Sequence, residues 1–100
     1  MAKYTSTASK IKLTERQAQV LLAACSWRLD AHSGPAYFEW TPALLTRVVN
    51  QLTCKGLAAY DMQTEGYAYI PLEKGEAWIA GCEGLPTLPP LMAAAANMLG

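Results

Sequence analysis

Four side chains with strong hydrogen-bonding groups lie close together in the sequence, at Thr46, Arg47, Asn50 and Gln51. If this stretch is helical, the spacing of i, i+1, i+4 and i+5 places all four on one side of the helix. A guanidinium can bond both acceptors of a guanine edge, and an Asn or Gln amide can bond adenine in the same bidentate manner. The spacing therefore predicts a helix whose outer face could read the major groove of double-stranded DNA.

Basic and hydroxyl side chains on either side of this stretch could bond phosphates. Thr41 followed by Pro42 is typical of a helix start, where free N–H groups can hold a phosphate. Lysines and arginines near such a helix position a protein on the DNA backbone without reading its sequence. The predicted DNA-binding residues are Thr41, Thr46, Arg47, Asn50, Gln51, Lys55, Arg16 and Lys12.

The formal net charge of zero hides an uneven distribution along the chain. Up to Tyr60 there are seven basic and three acidic residues, whereas after Tyr60 there are one basic and five acidic residues. The first part could therefore meet phosphates, and the second part would repel them. Because so small an excess of positive charge would bind DNA weakly, the DNA hypothesis favours a homodimer.

Composition argues against several other classes of protein. The 100 residues include one His and three Cys without a C-x-x-C pair, so neither a zinc site nor a disulfide framework is expected. His32 and Ser33 lack a recognisable orienting acid, which leaves no catalytic residue, metal ligand or cofactor to predict. No stretch approaches the ~20 apolar residues that span a bilayer, the N-terminus does not resemble a signal peptide, and free thiols fit a reducing compartment. We therefore expect a cytoplasmic protein that is not an enzyme and has no membrane segment.

A small α+β domain must position the residues that could do this chemistry. With 52% hydrophobic residues, a chain of this length can form one domain with a core. The predicted order is a flexible arm over 1–12, a domain over 13–80 and a Pro-rich linker with a short apolar segment over 81–100. Within the domain we expect helices over 15–29, 42–55 and 73–80, and a hairpin with strands at 57–60 and 67–70.

Local signals indicate where two of the helices begin and which side one of them buries. Thr14 and Gln17 have the spacing of a capping box, in which each side chain bonds the other residue's backbone amide. Gly56 can end the 42–55 helix in the left-handed conformation. Apolar residues on one side of that helix form a predicted buried stripe, which consists of Leu45, Val48, Val49 and Leu52.

Two other segments carry aromatic side chains. In the hairpin, alternation predicts that Ile70 and Leu72 face the core and that Tyr67 and Tyr69 face the other side. Between the first two helices, an aromatic segment could be a strand, a single helical turn or an irregular piece of packed chain. It consists of Tyr37, Phe38 and Trp40.

Three stretches in this order resemble a winged helix-turn-helix domain of the MarR-like type or of related small bacterial and phage proteins. LTERQAQVL at 13–21 is similar to the family's opening helix, and LTRVVNQLTCKGL at 45–57 is similar to its recognition helix. LEKGEA at 72–77 resembles the family's helix start after the wing. The resemblance covers roughly residues 13–80 and implies about three helices, a two-stranded hairpin wing and DNA reading by the 42–55 helix.

The sequence also departs from the family pattern. The wing tip of the family normally carries Arg or Lys, whereas residues 61–66 contain Asp61 and Glu65 and no base. The segment 34–40 is a poor match to the helix that precedes the recognition helix. Leu72 stands where the family has a capping Thr, and the long dimerisation helices of MarR proteins have no counterpart.

Two hypotheses of function remain open at this point. The first is a small winged-helix DNA-binding protein, a transcriptional regulator of bacterial or phage type that acts as a homodimer. The second is a winged-helix module that binds a protein, as an inhibitor or adaptor of a nucleoprotein complex, without affinity for duplex DNA. Its partner-binding residues would be Asp61, Glu65, Tyr37, Phe38, Trp40, Tyr67 and Tyr69, together with the apolar tail.

Overall fold

The computed structural model of the protein describes residues 3–26, 29–61 and 68–89. Within these ranges the chain is an α+β domain with four helices and two antiparallel hairpins. The elements are β1 (Lys3–Ser6), β2 (Ser9–Thr14), α1 (Glu15–Ser26), α2 (Gly34–Phe38), α3 (Pro42–Cys54), β3 (Ala58–Asp61), β4 (Ala68–Pro71) and α4 (Glu73–Ala80). None of the helices in the described ranges has the length and hydropathy needed to cross a bilayer.

The first hairpin corrects the expectation of a flexible arm over residues 1–12. β1 pairs with β2 in antiparallel register, with Tyr4 opposite Leu13. Ile11 and Leu13 face inward and pack on the core, while Lys10 and Lys12 are exposed on the outer side. The alternation of polar and apolar residues is therefore that of a half-buried strand, which the abundance of small polar residues concealed.

Contacts with the end of α4 hold this hairpin in place. The indole N–H of Trp78, a fully buried side chain, donates to the Ile11 carbonyl at 2.8 Å. The Thr7 backbone N–H donates to the Gly81 carbonyl at 2.9 Å, and a Cβ on Gly81 would meet the Ser6 hydroxyl at 2.8 Å. The turn of the hairpin thus packs against the backbone of Gly81, where a larger residue would collide with it.

α1 begins at the predicted capping box. The Gln17 N–H donates to the Thr14 hydroxyl at 3.3 Å, and the Thr14 N–H donates to the Gln17 side-chain oxygen at 3.0 Å. The helix is shorter than predicted, because it ends at Ser26 and Leu29 lies outside it. Instead, Leu29 forms an isolated bridge with Tyr69, in which the Tyr69 N–H donates to the Leu29 carbonyl at 2.7 Å.

The aromatic segment, for which three conformations were open, contains the short helix α2. Glu39 ends it in the left-handed conformation, with φ of 60°, and this turns the chain into the start of α3. α3 starts as predicted, since the Thr41 hydroxyl accepts from the Leu44 N–H at 3.2 Å and Pro42 follows. Gly56 has φ of 75°, which confirms the left-handed end, and the predicted apolar stripe of α3 is buried.

In the second hairpin the predicted sides of β4 are wrong. Ile70 and Leu72 are 39% and 38% exposed, whereas Tyr69 is only 3% exposed. Register places Tyr69 opposite Tyr60, and their rings meet edge to face with centroids 5.1 Å apart. This aromatic pair and the Leu29 bridge put the Tyr69 side of β4 against the core, and alternation then turns Ile70 outward. Tyr67 lies outside the described residues.

Candidate nucleic-acid interface

α3 presents a continuous polar face to the surroundings. Its buried stripe packs on the core, so Thr46, Arg47, Asn50 and Gln51 on the opposite side are all exposed. They line one shallow groove along the helix, which also reaches Gln17, Cys54 and Lys55. α3 itself contains no acidic residue, and Glu15 of α1 lines a neighbouring groove together with Arg47 and Gln51.

A hydrogen-bond relay links the start of α1 to the polar face of α3. Because the Gln17 side-chain oxygen accepts from the Thr14 backbone, its amide N–H₂ group must point the other way. That group donates to the Gln51 side-chain oxygen at 2.8 Å. The capping box of α1 therefore fixes the orientation of a side chain on α3, and Gln51 offers its own N–H₂ group to a ligand.

Asn50 is oriented in a similar way from the other side of the helix. Its side-chain oxygen accepts from the Tyr60 hydroxyl of β3 at 3.2 Å. Burial raises the pKa of Tyr60, so this phenol keeps its proton and remains a donor at neutral pH. The two amides of the polar face thus both direct N–H₂ groups outward, which matches hydrogen-bond acceptors such as base N7 and O6 atoms or phosphate oxygens.

Arg16 lies beside this face and rests on an aromatic cluster. Its guanidinium carbon is 5.8 Å from the centroid of the Trp40 ring, and Phe38 stacks on the same indole at 4.5 Å. Arg16 and Arg47 line a small groove between α1 and α3, together with Glu15 and Gln51. The aromatic cluster therefore holds one cation next to another at the junction of α1 and α3.

The remaining predicted phosphate contacts lie at the edges of this surface. Thr41 is exposed at the start of α3, and Lys55 is exposed at its end. Lys12 is exposed on the outer side of β2, and its neighbour Thr14 lines the groove that contains Arg16 and Arg47. The structure thus brings the eight predicted residues to α3 and the adjoining β2–α1 junction.

The residues considered for a protein partner are more dispersed. Phe38 is 7% exposed and Tyr69 is buried, so both serve in packing. The Tyr37 hydroxyl donates to the Pro89 carbonyl at 2.6 Å and holds the chain after α4 against α2. Trp40 and Asp61 are half-buried, while Glu65 and Tyr67 lie outside the described residues.

Other side chains with reactive groups have structural surroundings. Burial, reinforced by the charge of Glu76, raises the pKa of the Cys25 thiol to about 11, so it stays protonated at neutral pH. Asp30 accepts from the backbone N–H groups of His32 and Ser33 and from the Ser33 hydroxyl, an arrangement that closes the turn before α2. In the described ranges no group of three or more His, Cys, Asp or Glu residues could hold a metal ion.

Sequence reasoning missed two residues that organise the polar face. The sequence predicted only the capping bond of Gln17. The side-chain oxygen accepts that bond, and the N–H₂ group of the same amide donates to Gln51. Tyr60 was assigned only to a strand, and nothing in its sequence neighbourhood indicates the contact with Asn50. Both bonds join elements whose relative placement only the folded chain defines.

Comparisons with known proteins add no relative: no family model matches the chain, and neither a curated protein nor a solved structure matches it.

Proposed function

We propose that this chain is a winged-helix DNA-binding domain that reads the major groove with α3. The observation that carries the proposal is the exposed face of α3, which combines Thr46, Arg47, Asn50 and Gln51 without a carboxylate on the helix. Side chains of these types match the acceptors of base edges and phosphates.

The order of elements supports the winged-helix assignment. α2 leads through the left-handed Glu39 into α3, α1 packs against α3, and the β3–β4 hairpin follows α3 in the chain, in the order that a winged helix would have. In a helix-turn-helix arrangement the second helix of the pair enters the groove while the first supports it. α3 is that second helix, and it is the one with the exposed polar face.

The mode of binding follows from the charge of this surface. The proposed site has few cations, namely Arg16, Arg47 and Lys55. The acidic residues Asp61 and Glu65, in the segment proposed as the wing, would be repelled by the phosphates of the DNA backbone. Two copies on a two-fold symmetric site would double the number of phosphate contacts. We therefore propose a homodimeric transcriptional regulator of bacterial or phage type.

Duplex binding at several salt concentrations tests the proposal. We expect affinity for random duplex to fall steeply with salt, and a selected sequence to bind more tightly than random duplex. Arg47→Gln combined with Asn50→Ala should weaken binding to the selected sequence by about 10-fold or more and leave the unfolding free energy within about 0.5 kcal/mol.

The matched control is Thr53→Ala, an exposed α3 position outside the groove, whose hydroxyl bonds the Val49 carbonyl at 2.9 Å. It should leave affinity unchanged. If micromolar wild-type protein binds no duplex at low salt, the DNA proposal is wrong.

A protein-binding module without duplex affinity is the second candidate function. The observation that favours it is the outer side of β4, where Ile70 is exposed and Leu72 follows it, also exposed. The neighbouring strand β3 ends at Asp61, so this hairpin has an exposed apolar side chain on β4 and a carboxylate at the end of β3. For such a module the wild type binds no duplex, and Ile70→Ser would weaken binding to the protein partner while Arg47→Gln would not.

A further inference from the structure

A second basic groove lies at the other end of α3, between the first hairpin and α4. Its lining includes Lys55 at the end of α3, Lys74 in the first turn of α4 and Ser9 at the start of β2. The floor is apolar and consists of Ala8, Ile11, Leu57 and Ala77. Two cations and a hydroxyl thus converge from three separate elements, and no acid lines the groove among the described residues.

Hydrogen bonds and close packing tie the three walls together. The Leu72 N–H donates to the Leu57 carbonyl at 2.9 Å, which joins the start of α4 to the chain after α3. Gly75 packs so closely on the Leu57 carbonyl that a Cβ there would collide with it. Ile11 of β2 is fixed by the Trp78 indole. The backbone of the three walls is therefore held in place by the fold, and the exposed side chains of Lys55 and Lys74 project from it.

The acidic residues of α4 do not enter this groove. Glu73 and Glu76 are exposed and are not among the lining residues, although each is next to one of them in the sequence. The lining itself therefore carries only the positive charges of Lys55 and Lys74.

Lys55 lines both this groove and the polar face of α3, so the two surfaces are continuous. A helix that lies in the major groove has a sugar–phosphate backbone on either side of it. Cations beside the end of α3 would therefore lie next to phosphates when α3 occupies the groove.

We infer that this second groove is a phosphate-binding site, formed by Lys55, Lys74 and Ser9, which takes a backbone phosphodiester next to the major groove that α3 reads. The inference rests on the proposed function for the source of the phosphate. It assigns backbone contact to the side of the domain with the first hairpin and α4, rather than to the acidic β3–β4 hairpin.

Salt-dependent duplex binding tests the site. Lys74→Gln should reduce the slope of log affinity against log salt by about 1 and weaken binding about equally for specific and random sequences. Lys74→Arg keeps the charge and should bind like the wild type.

Inorganic phosphate provides an arm that does not depend on DNA. We expect phosphate to shift the backbone amide resonances of Ser9, Lys55 and Lys74 in a saturable manner, and we expect Lys74→Gln to abolish these shifts. If the wild type binds no duplex but shows these shifts, the proposed function falls and the phosphate site stands.

A different set of results would overturn the phosphate site and leave the proposed DNA binding standing. If Lys74→Gln binds duplex with the wild-type slope while Arg47→Gln still weakens binding, the inference is overturned and the DNA proposal remains. Absence of both the shifts and the slope change overturns the inference whatever Arg47→Gln does.

Discussion

Gln17 carries two interactions whose consequences differ. Its oxygen caps α1, and its N–H₂ group orients Gln51 on the exposed face of α3. A neutral amide suits both, because it accepts at one end and donates at the other. A residue of this kind would act on recognition through its neighbour, since it decides which end of that neighbour's amide faces outward.

Gln17→Glu separates the two interactions at nearly constant shape. A carboxylate still accepts from the Thr14 N–H, but it cannot donate, so the Gln51 amide should turn its N–H₂ group inward and its oxygen outward. We expect a changed base preference at the position that Gln51 contacts, measured by selection from a duplex library. The unfolding free energy should fall by only about 1 kcal/mol.

Gln17→Ala is the control, because it removes the cap and leaves Gln51 without a partner. It should broaden base preference rather than change it. An unaltered preference in Gln17→Glu would mean that the relay does not determine how Gln51 binds.

Because the Tyr69 phenol is buried, we expect the unfolding free energy to depend on pH in the alkaline range. Burial, followed by the charges of Tyr60 and Asp30, raises the pKa of Tyr69 to about 12 from its ordinary value of 10. The folded state therefore holds this proton more tightly than the unfolded state, so stability is complete below pH 10 and declines as pH rises toward 12. We expect urea unfolding to show a loss of about 1–2 kcal/mol over this range.

Tyr69→Phe has no phenolic proton to lose, so its stability should decline less between pH 10 and 12. An identical decline in the variant would assign the effect to other groups, such as the Cys25 thiol.

Among the elements, those defined by local chemistry were predictable and those defined by distant contacts were not. The Thr14–Gln17 cap, the Thr41–Pro42 start and Gly56 act within a few residues, so their sequence signals were sufficient. The side of β4 that faces the core depends on Leu29, which lies 40 positions earlier in the chain. Such a contact leaves no trace in the alternation of residues 67–72.

The first hairpin illustrates the same limit. The sequence of its strands predicted a polar arm, because the residue that bonds β2 from outside the hairpin, Trp78, lies 67 residues after Ile11. The candidate site was predictable to a similar degree. The spacing of Thr46, Arg47, Asn50 and Gln51 indicated their shared exposed face, whereas the bonds that orient Asn50 and Gln51 come from β3 and α1.

Truncation distinguishes a hairpin from an arm. Deletion of residues 1–8 removes β1 and uncovers the inner side of β2, including Leu13, which is fully buried. We expect a loss of about 2 kcal/mol or more of unfolding free energy in urea, since apolar area is exposed and strand bonds are lost. Deletion of residues 1–2 is the control and should be neutral; equal stability of both variants would show that the hairpin adds nothing to the fold.

At the scale of the described molecule, the basic grooves and the exposed apolar residue Ile70 belong to different elements. The polar face of α3 and the second groove carry Arg47, Lys55 and Lys74, while β3 ends at Asp61 and β4 exposes Ile70. The chain that follows α4 is bound to α1 and α2. The Gln19 side chain of α1 donates to the Thr87 carbonyl at 3.0 Å, and the Tyr37 hydroxyl of α2 donates to the Pro89 carbonyl. The apolar residues 91–99, which we expect to dock on the domain or on a second copy, lie outside the described residues.

Deletion of residues 91–100 tests whether this segment holds the proposed homodimer together. It leaves the bonds of Thr87 and Pro89 intact, so the domain should keep its stability. We expect light scattering to give twice the chain mass for the full chain and a single chain mass for the truncated one. The same mass for both would remove the segment from dimerisation, and a monomeric full chain would remove the dimer.

The position of Trp40 gives the domain its own optical probe. Its indole lies under the Arg16 guanidinium, at the edge of the surface proposed to meet DNA, while Trp78 is fully buried. When a phosphate draws the guanidinium away, the emission of the Trp40 indole should change. The chain has three tryptophans, so a titration followed by intrinsic fluorescence needs Trp40→Phe as the reference in which this change is lost.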